Sequence, residues 1–155
     1  MLTWKLEVNA PVSVMWDVLW NIPRYMEFQK DLKKIEVIKS SENVKTVRHE
    51  VEILKPVFYI LDYIVDEKFK KLSWKLIDCA SVKLPLMKEF KFMEKDEGWW
   101  ELIETGPDKC TAVYNLDIAF NSKIPSSVTN MLAKKQMPTM MAGYKKQAES
   151  IFKKG

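Results

Sequence analysis

The chain has 155 residues, 47% of them hydrophobic and 30% charged, the composition of an ordinary globular protein expected to form one domain over 1–155. No apolar run approaches the length of a membrane-spanning helix. The formal charge of +4 is almost all lysine, since Arg24 and Arg48 are the only arginines; with so few residues suited to bidentate phosphate contacts, a solvated basic surface is expected rather than a nucleic-acid or ribosome partner.

Leu2, Trp4, Leu6 and Val8 alternate with Thr3, Lys5 and Glu7, the pattern of a half-buried first strand. Asn9-Ala10-Pro11 turns into a helix whose apolar face is Val14, Met15, Val18 and Leu19. Asn21-Ile22-Pro23 breaks it, and Tyr25, Met26 and Phe28 form a short second helix or loop. A strand follows at Ile35 and Val37, then a turn over Ser40-Ser41-Glu42-Asn43. In the next strand Val47, His49, Val51 and Ile53 share one face, and Lys55-Pro56 ends it. Asp62 and Asp66 mark the outer face of the following strand, so Tyr59, Leu61, Tyr63 and Val65 point inward. Leu72, Trp74 and Leu76 alternate next, and 80–87 is read as an irregular crossing. Phe90 and Phe92 resume a strand that Asp96-Glu97-Gly98 kinks or turns before Trp99 continues it. Gly106-Pro107-Asp108-Lys109 is a turn, and Ala112, Tyr114, Leu116, Ile118 and Phe120 give the cleanest alternation of all.

After Ile124 the period changes to that of a helix. Val128, Met131 and Leu132 form one stripe; Met137, Met140, Met141, Tyr144, Ala148 and Ile151 form a second, about half a turn away. Pro138 lies at the jump, and a proline inside a helix removes a hydrogen bond, so a kink or break is expected near Gln136. The order of elements calls for an α+β fold in which the last helix covers a curved antiparallel sheet and leaves a cavity beneath it.

The chain resembles the START-related superfamily, also called SRPBCC, and within it the polyketide cyclase/dehydrase and coenzyme Q-binding branch. Four segments carry the resemblance: Val8-Asn9-Ala10-Pro11 with Val14 to Leu19, then Asn21-Ile22-Pro23-Arg24-Tyr25-Met26-Glu27-Phe28, then Glu97-Gly98-Trp99-Trp100-Glu101-Leu102, and Ile124-Pro125 with Pro138 in the helix behind it. These are scaffold motifs, not a catalytic signature. The resemblance implies a helix-grip fold, with a seven-stranded antiparallel sheet wrapped around a long C-terminal helix and two small helices after the first strand. It also implies a cavity for lipids, sterols, polyketides, quinones or plant hormones. A few such proteins are cyclases or aromatases, and one branch is described as a ribosome-associated toxin.

The candidate ligand-contact residues follow from strand and helix parity. His49 is the sole histidine and faces inward; it is read either as a core histidine satisfied by a tyrosine or carbonyl, or as a cavity group able to handle protons. Tyr59, Tyr63 and Tyr114 share the inward parity, as do Trp74 and Trp100, with Trp99 outward. Met137, Met140, Met141 and Tyr144 supply the helix wall, where flexible methionine tolerates ligands of varied shape. Glu50, Glu52, Asp62, Asp66, Glu101 and Asp117 have outward parity, and Asp78 and Glu104 inward parity at strand ends. No carboxylate pair, nucleophile with an adjacent base, or phosphate-cradling glycine loop can be assembled.

One histidine and two cysteines argue against a structural zinc site, and no cofactor is called for. Met1 leads straight into strand-like sequence, so no secretory signal is read, Cys79 and Cys110 are expected as free thiols, and the expected location is the cytoplasm. The expected function is binding of a hydrophobic small molecule as carrier, chaperone or sensor. The alternatives are a cyclase-type enzyme using His49 and a tyrosine, and a basic module that meets a ribosome or an acidic membrane surface through lysines such as Lys134, Lys135 and Lys146. Oligomeric state is left open.

Overall fold

The computed structural model describes residues 1–53 and 55–155, without the side chain of Ile53; the expectation that Ile53 shares the His49 face therefore lies outside the described residues. Strand β1 (Leu2–Val8) leads to helix α1 (Val12–Trp20) and a 3₁₀ turn (Ile22–Glu27). Strands β2 (Leu32–Ser40), β3 (Val44–Ile53), β4 (Lys55–Asp66) and β5 (Lys71–Cys79) follow, then a small β6 (Ser81–Val82) and β7 (Phe90–Lys91) pair. Strands β8 (Met93–Gly106) and β9 (Lys109–Phe120) precede helix α2 (Ser126–Met131), a π-helical turn (Leu132–Gln136) and helix α3 (Met137–Lys154).

The main sheet has seven antiparallel strands in the order β1-β9-β8-β5-β4-β3-β2. The hairpin runs β2 to β5 and β8 to β9 meet at the β5–β8 pair, and β1 returns to the edge beside β9, so the first and last strands pair with Leu2 opposite Leu116 and Val8 opposite Cys110. One face of the sheet takes the apolar side chains; Val8, Val47, Leu72, Ala112 and Leu116 are nearly or completely inaccessible. Helix α3 lies on that face, with Met141, Tyr144 and Ala148 buried, and α1 packs beside it through Met15, Trp16, Val18 and Leu19. This is the expected helix-grip arrangement.

The sequence and the structure differ where backbone irregularities reset parity. Asp96-Glu97-Gly98 does not turn: β8 runs through it, pairing Asp96 with Ile118 and Gly98 with Leu116. Gly98 is required there because a Cβ would meet the Asn115 carbonyl oxygen at 2.0 Å and Trp74 Cζ2 at 2.9 Å. In β5 a bulge opposite Ile60 and Leu61 inserts one residue, so Cys79 turns inward and Asp78 outward, where its carboxylate accepts from Lys91 at 2.7 Å. Glu104 is likewise exposed, beside a second irregularity before Gly106.

The kink or break expected near Gln136 takes the form of a π turn over Leu132–Gln136, with a short helix before it and a longer one after. The backbone stays helical through Leu132, Gln136 and Met137, and the Met137 N–H donates to the Leu132 carbonyl, five residues back. A π turn inserts one residue into the helical ladder. That insertion offsets the two apolar stripes, and Pro138 follows it directly, where the α-helical ladder is already interrupted. Ile151, placed on the covering stripe from sequence, is exposed, and Phe152 packs against the core in its stead. No helix of the described residues is long and apolar enough to cross a membrane.

Candidate functional site: an aromatic cavity under the last helix

Between α3 and the sheet lies a cavity of about 500 Å³. The buried side chains form two apolar clusters, one under α1 and α3 and one under α2 and the β6–β7 pair. The cavity lining draws on both, with Leu61, Trp100 and Leu116 from the first and Val57, Phe92 and Leu132 from the second. The space thus lies where the two clusters meet and neither closes.

Nine of the ten residues expected at the site line this cavity: His49 from β3, Tyr59 and Tyr63 from β4, Trp74 from β5, Trp100 from β8, Tyr114 from β9, and Met137, Met140 and Tyr144 from α3. Met141 does not. It is 2% exposed and packs within the α1–α3 cluster, because on α3 it sits beside Met140 on the edge turned toward α1. Trp99 is half-buried on the other face, its Nε1 donating to Glu101 and its ring beneath Lys71.

The aromatic walls are mutually braced. Trp74 stacks on Tyr114 at 5.2 Å, and Trp100 meets Tyr114 edge-on at 4.7 Å. Tyr144 meets Trp100, Tyr25 and Phe28 edge-on at 5.2–5.3 Å. The Tyr25 hydroxyl donates to the Leu19 carbonyl at the end of α1. Gln29 Nε2 donates to the Met140 carbonyl at 2.9 Å, and Phe28 and Gln29 approach Gly143 closely enough that a Cβ there would sit 3.1 Å from both. The segment after the 3₁₀ turn is thereby strapped to α3, and the exposed Lys30, Asp31 and Lys146 form the rim beside it.

An imidazole and a carboxylate stand inside with the phenols. His49 is 4% exposed, stacks on Tyr59 at 4.6 Å with ring planes 5° apart, and places Nε2 3.0 Å from the Tyr63 hydroxyl. Its Nδ1 is buried without a hydrogen-bond partner. Burial lowers the imidazole pKa to about 4, so the ring is neutral at physiological pH. Asp96 was missed in sequence. Counting back in twos from inward Trp100 through Gly98 reaches it, but reading 96–98 as a kink stops that count. Asp96 is 9% exposed, lines the cavity, and accepts a hydrogen bond from Trp74 Nε1 at 3.0 Å. Burial raises its pKa to about 6 against the opposing effect of that hydrogen bond. The phenols of Tyr25, Tyr59, Tyr63, Tyr114 and Tyr144 are all pushed up by burial and stay neutral.

The sequence matches the model of the family described as polyketide cyclase/dehydrase and lipid transport over residues 8–144, and the chain belongs to that family. No curated protein matches it. Among solved structures it is similar to the aromatase/cyclase Zhui of a Streptomyces species, with TM-score 0.79 and 14% identity over 96% of this chain and 92% of that one. A START superfamily protein from Mycobacterium smegmatis gives 0.78 and 14% identity over 97% of each chain. A major latex-like protein from Panax ginseng gives 0.65 and 9% identity over 97% of this chain and 95% of that one. At such identities the likeness concerns the fold alone.

Proposed function

We propose that this member of the polyketide cyclase/dehydrase and lipid transport family binds an apolar small molecule in the cavity and serves as a carrier, chaperone or sensor. The observation that carries the reading is the cavity itself: about 500 Å³ of space walled by aromatic and aliphatic side chains. Open volume of this size beneath a close-packed sheet forgoes packing energy that the surrounding Trp, Tyr and Met side chains could have supplied. A ligand of drug or lipid size restores those contacts. The two cysteines are free and buried, which supports work in a reducing compartment such as the cytoplasm.

The test is titration of the folded protein with a varied panel of apolar fluorescent probes and medium-chain lipids, alongside native mass spectrometry of protein from its own host. Saturable binding of one molecule per chain is expected. A folded protein that binds none of the panel would mean that the space closes in solution, and the reading would fall.

A cyclase-type enzyme is the second reading, and the pairing of His49 with Tyr63 favours it. A neutral imidazole can accept a proton, and a phenol held 3.0 Å away can relay it. Turnover of a poly-β-keto substrate that disappears in His49→Gln with binding retained would establish that role in place of simple carriage.

A further inference from the structure

Resting on the reading of the cavity as a small-molecule site, we infer that Asp96 selects the ligand's chemistry: the cavity takes an apolar, aromatic-compatible molecule carrying an amine, with the ammonium seated on the Asp96 carboxylate. Asp96 projects from near the start of β8 into the cavity, opposite Ile118, and Trp74 Nε1 is its hydrogen-bond donor among the described residues. One donor leaves most of a carboxylate's acceptor capacity unused. A buried carboxylate costs stability unless it is paired, and one with spare acceptor capacity beside an open cavity invites a cationic donor.

The rest of the lining points to the same choice. From β3 comes His49, from β4 Tyr59 and Tyr63, from β9 Tyr114, and from α3 Tyr144. Burial holds each of these uncharged near neutral pH, the imidazole by lowering and the phenols by raising their pKa. Burial raises the Cys79 thiol of β5 as well. Above about pH 6 the interior therefore carries, among the described residues, one charge, and it is negative. Trp74 donates to Asp96 from its ring edge and stacks on Tyr114, which in turn meets Trp100, so an aromatic cluster with faces for a ligand begins at the carboxylate. Such faces attract a cation and do nothing comparable for an alcohol. A carboxylic acid head would meet like charge, and the basic group inside among the described residues, His49, is held neutral by burial. The rim does carry Lys30 and Lys146 with Asp31, but these are exposed and screened by water and salt.

The probes are three near-isosteres, naphthylethylamine, naphthylethanol and naphthylacetic acid, titrated calorimetrically into the full chain at about pH 7.5. The amine is expected to bind at least about tenfold more tightly than the alcohol, a difference of about 1.4 kcal/mol, with the acid weakest. In Asp96→Asn, which keeps the acceptor for Trp74, the amine-to-alcohol ratio should collapse toward one. Independently of any variant, the amine's advantage in the native protein should shrink as pH falls through about 6. An acid that binds as tightly as the amine, or a ratio unchanged in Asp96→Asn and across that pH range, overturns the assignment while leaving apolar binding intact. If none of the three binds to folded protein, this inference falls, while the cavity reading stands or falls with the wider probe panel.

Discussion

The side chains of His49 and Tyr63 meet across the β3–β4 pair, Nε2 3.0 Å from the phenolic oxygen, although the residue opposite His49 in the ladder is Tyr59. The imidazole lies flat on Tyr59 and reaches along the strand to Tyr63. Each of the two polar groups is thus the other's partner inside the cavity wall. Tyr63→Phe removes it from His49, whose Nδ1 is already unpartnered. A cost of about 1–3 kcal/mol is expected, as it is for His49→Gln with its poorer fit to Tyr63. The double variant His49→Phe, Tyr63→Phe should cost less than the sum of His49→Phe and Tyr63→Phe, because neither then strands a buried polar atom. Urea unfolding of the set reads this directly; strict additivity would mean that the contact contributes nothing.

The two cavity groups also oppose one another in their response to pH. Asp96 holds its proton more tightly folded than unfolded, with a pKa raised from 3.8 to about 6. Its contribution to stability is full below about pH 4 and is lost as pH rises through about 6. His49 holds its proton less tightly when folded, with a pKa lowered from 6.5 to about 4. Its contribution is full above about pH 6.5 and is lost as pH falls toward about 4. Each shift is worth on the order of 2–3 kcal/mol, and over the shared window they nearly cancel. Asp96→Asn should therefore gain stability as pH rises from about 4 to 6.5, and His49→Gln should lose it. Unfolding free energies measured across that range check both slopes; parallel profiles for the two variants would show that the groups are not buried as described.

Much of this site could be read from residue alternation. Period-2 spacing in β3, β4, β5 and β9 sends His49, Tyr59, Tyr63, Trp74 and Tyr114 to one face, and period 3.6 in α3 brings Met137, Met140 and Tyr144 over them. What alternation cannot show is a backbone that changes its own count. The β5 bulge exchanges Asp78 for Cys79, and the break that Pro138 signals is a π turn that adds a residue. At Gly98 the error runs the other way. Glycine after Asp and Glu reads as a turn, yet here it is the bare spot in a continuous strand across which the Trp74 ring lies. Asp96 was lost with that misreading. Met141 shows a further limit: spacing identifies the buried side of a helix but not which part of that side meets solid core and which meets open space.

Gly98 gives the next test. A methyl group there would overlap the Asn115 carbonyl oxygen, a backbone atom of the neighbouring strand that cannot swing aside. It would also push Trp74 away from Asp96, to which the indole donates. Gly98→Ala is expected to cost at least about 3 kcal/mol, at the upper end for overpacking in a fixed site. A large fall in urea midpoint, with altered tryptophan fluorescence in any folded fraction, would bear this out. A variant as stable as the parent would mean that β8 and β9 are not in the register that pairs Gly98 with Leu116.

Helix α3 is the remaining wall, and its removal tests whether the sheet can stand alone. Ending the chain at Met137 deletes Met141, Tyr144 and Ala148, all buried, and strips the edge-on partner from Trp100, Tyr25 and Phe28. It also removes Glu149, whose carboxylate accepts the Asn9 N–H at 2.8 Å and ties the helix to the end of β1. Each large side chain contributes about 1.5–3 kcal/mol by burial, and those it covers lose a comparable share. Set against a total of about 5–15 kcal/mol for a domain of this size, the loss leaves little or no net stability. The truncated chain should show no cooperative thermal transition and should bind hydrophobic dyes non-specifically, as an exposed apolar sheet face would. A truncated protein that still melts sharply near the full-length temperature would show that the concave face is stable without its helix, and that α3 is not the cavity's cover.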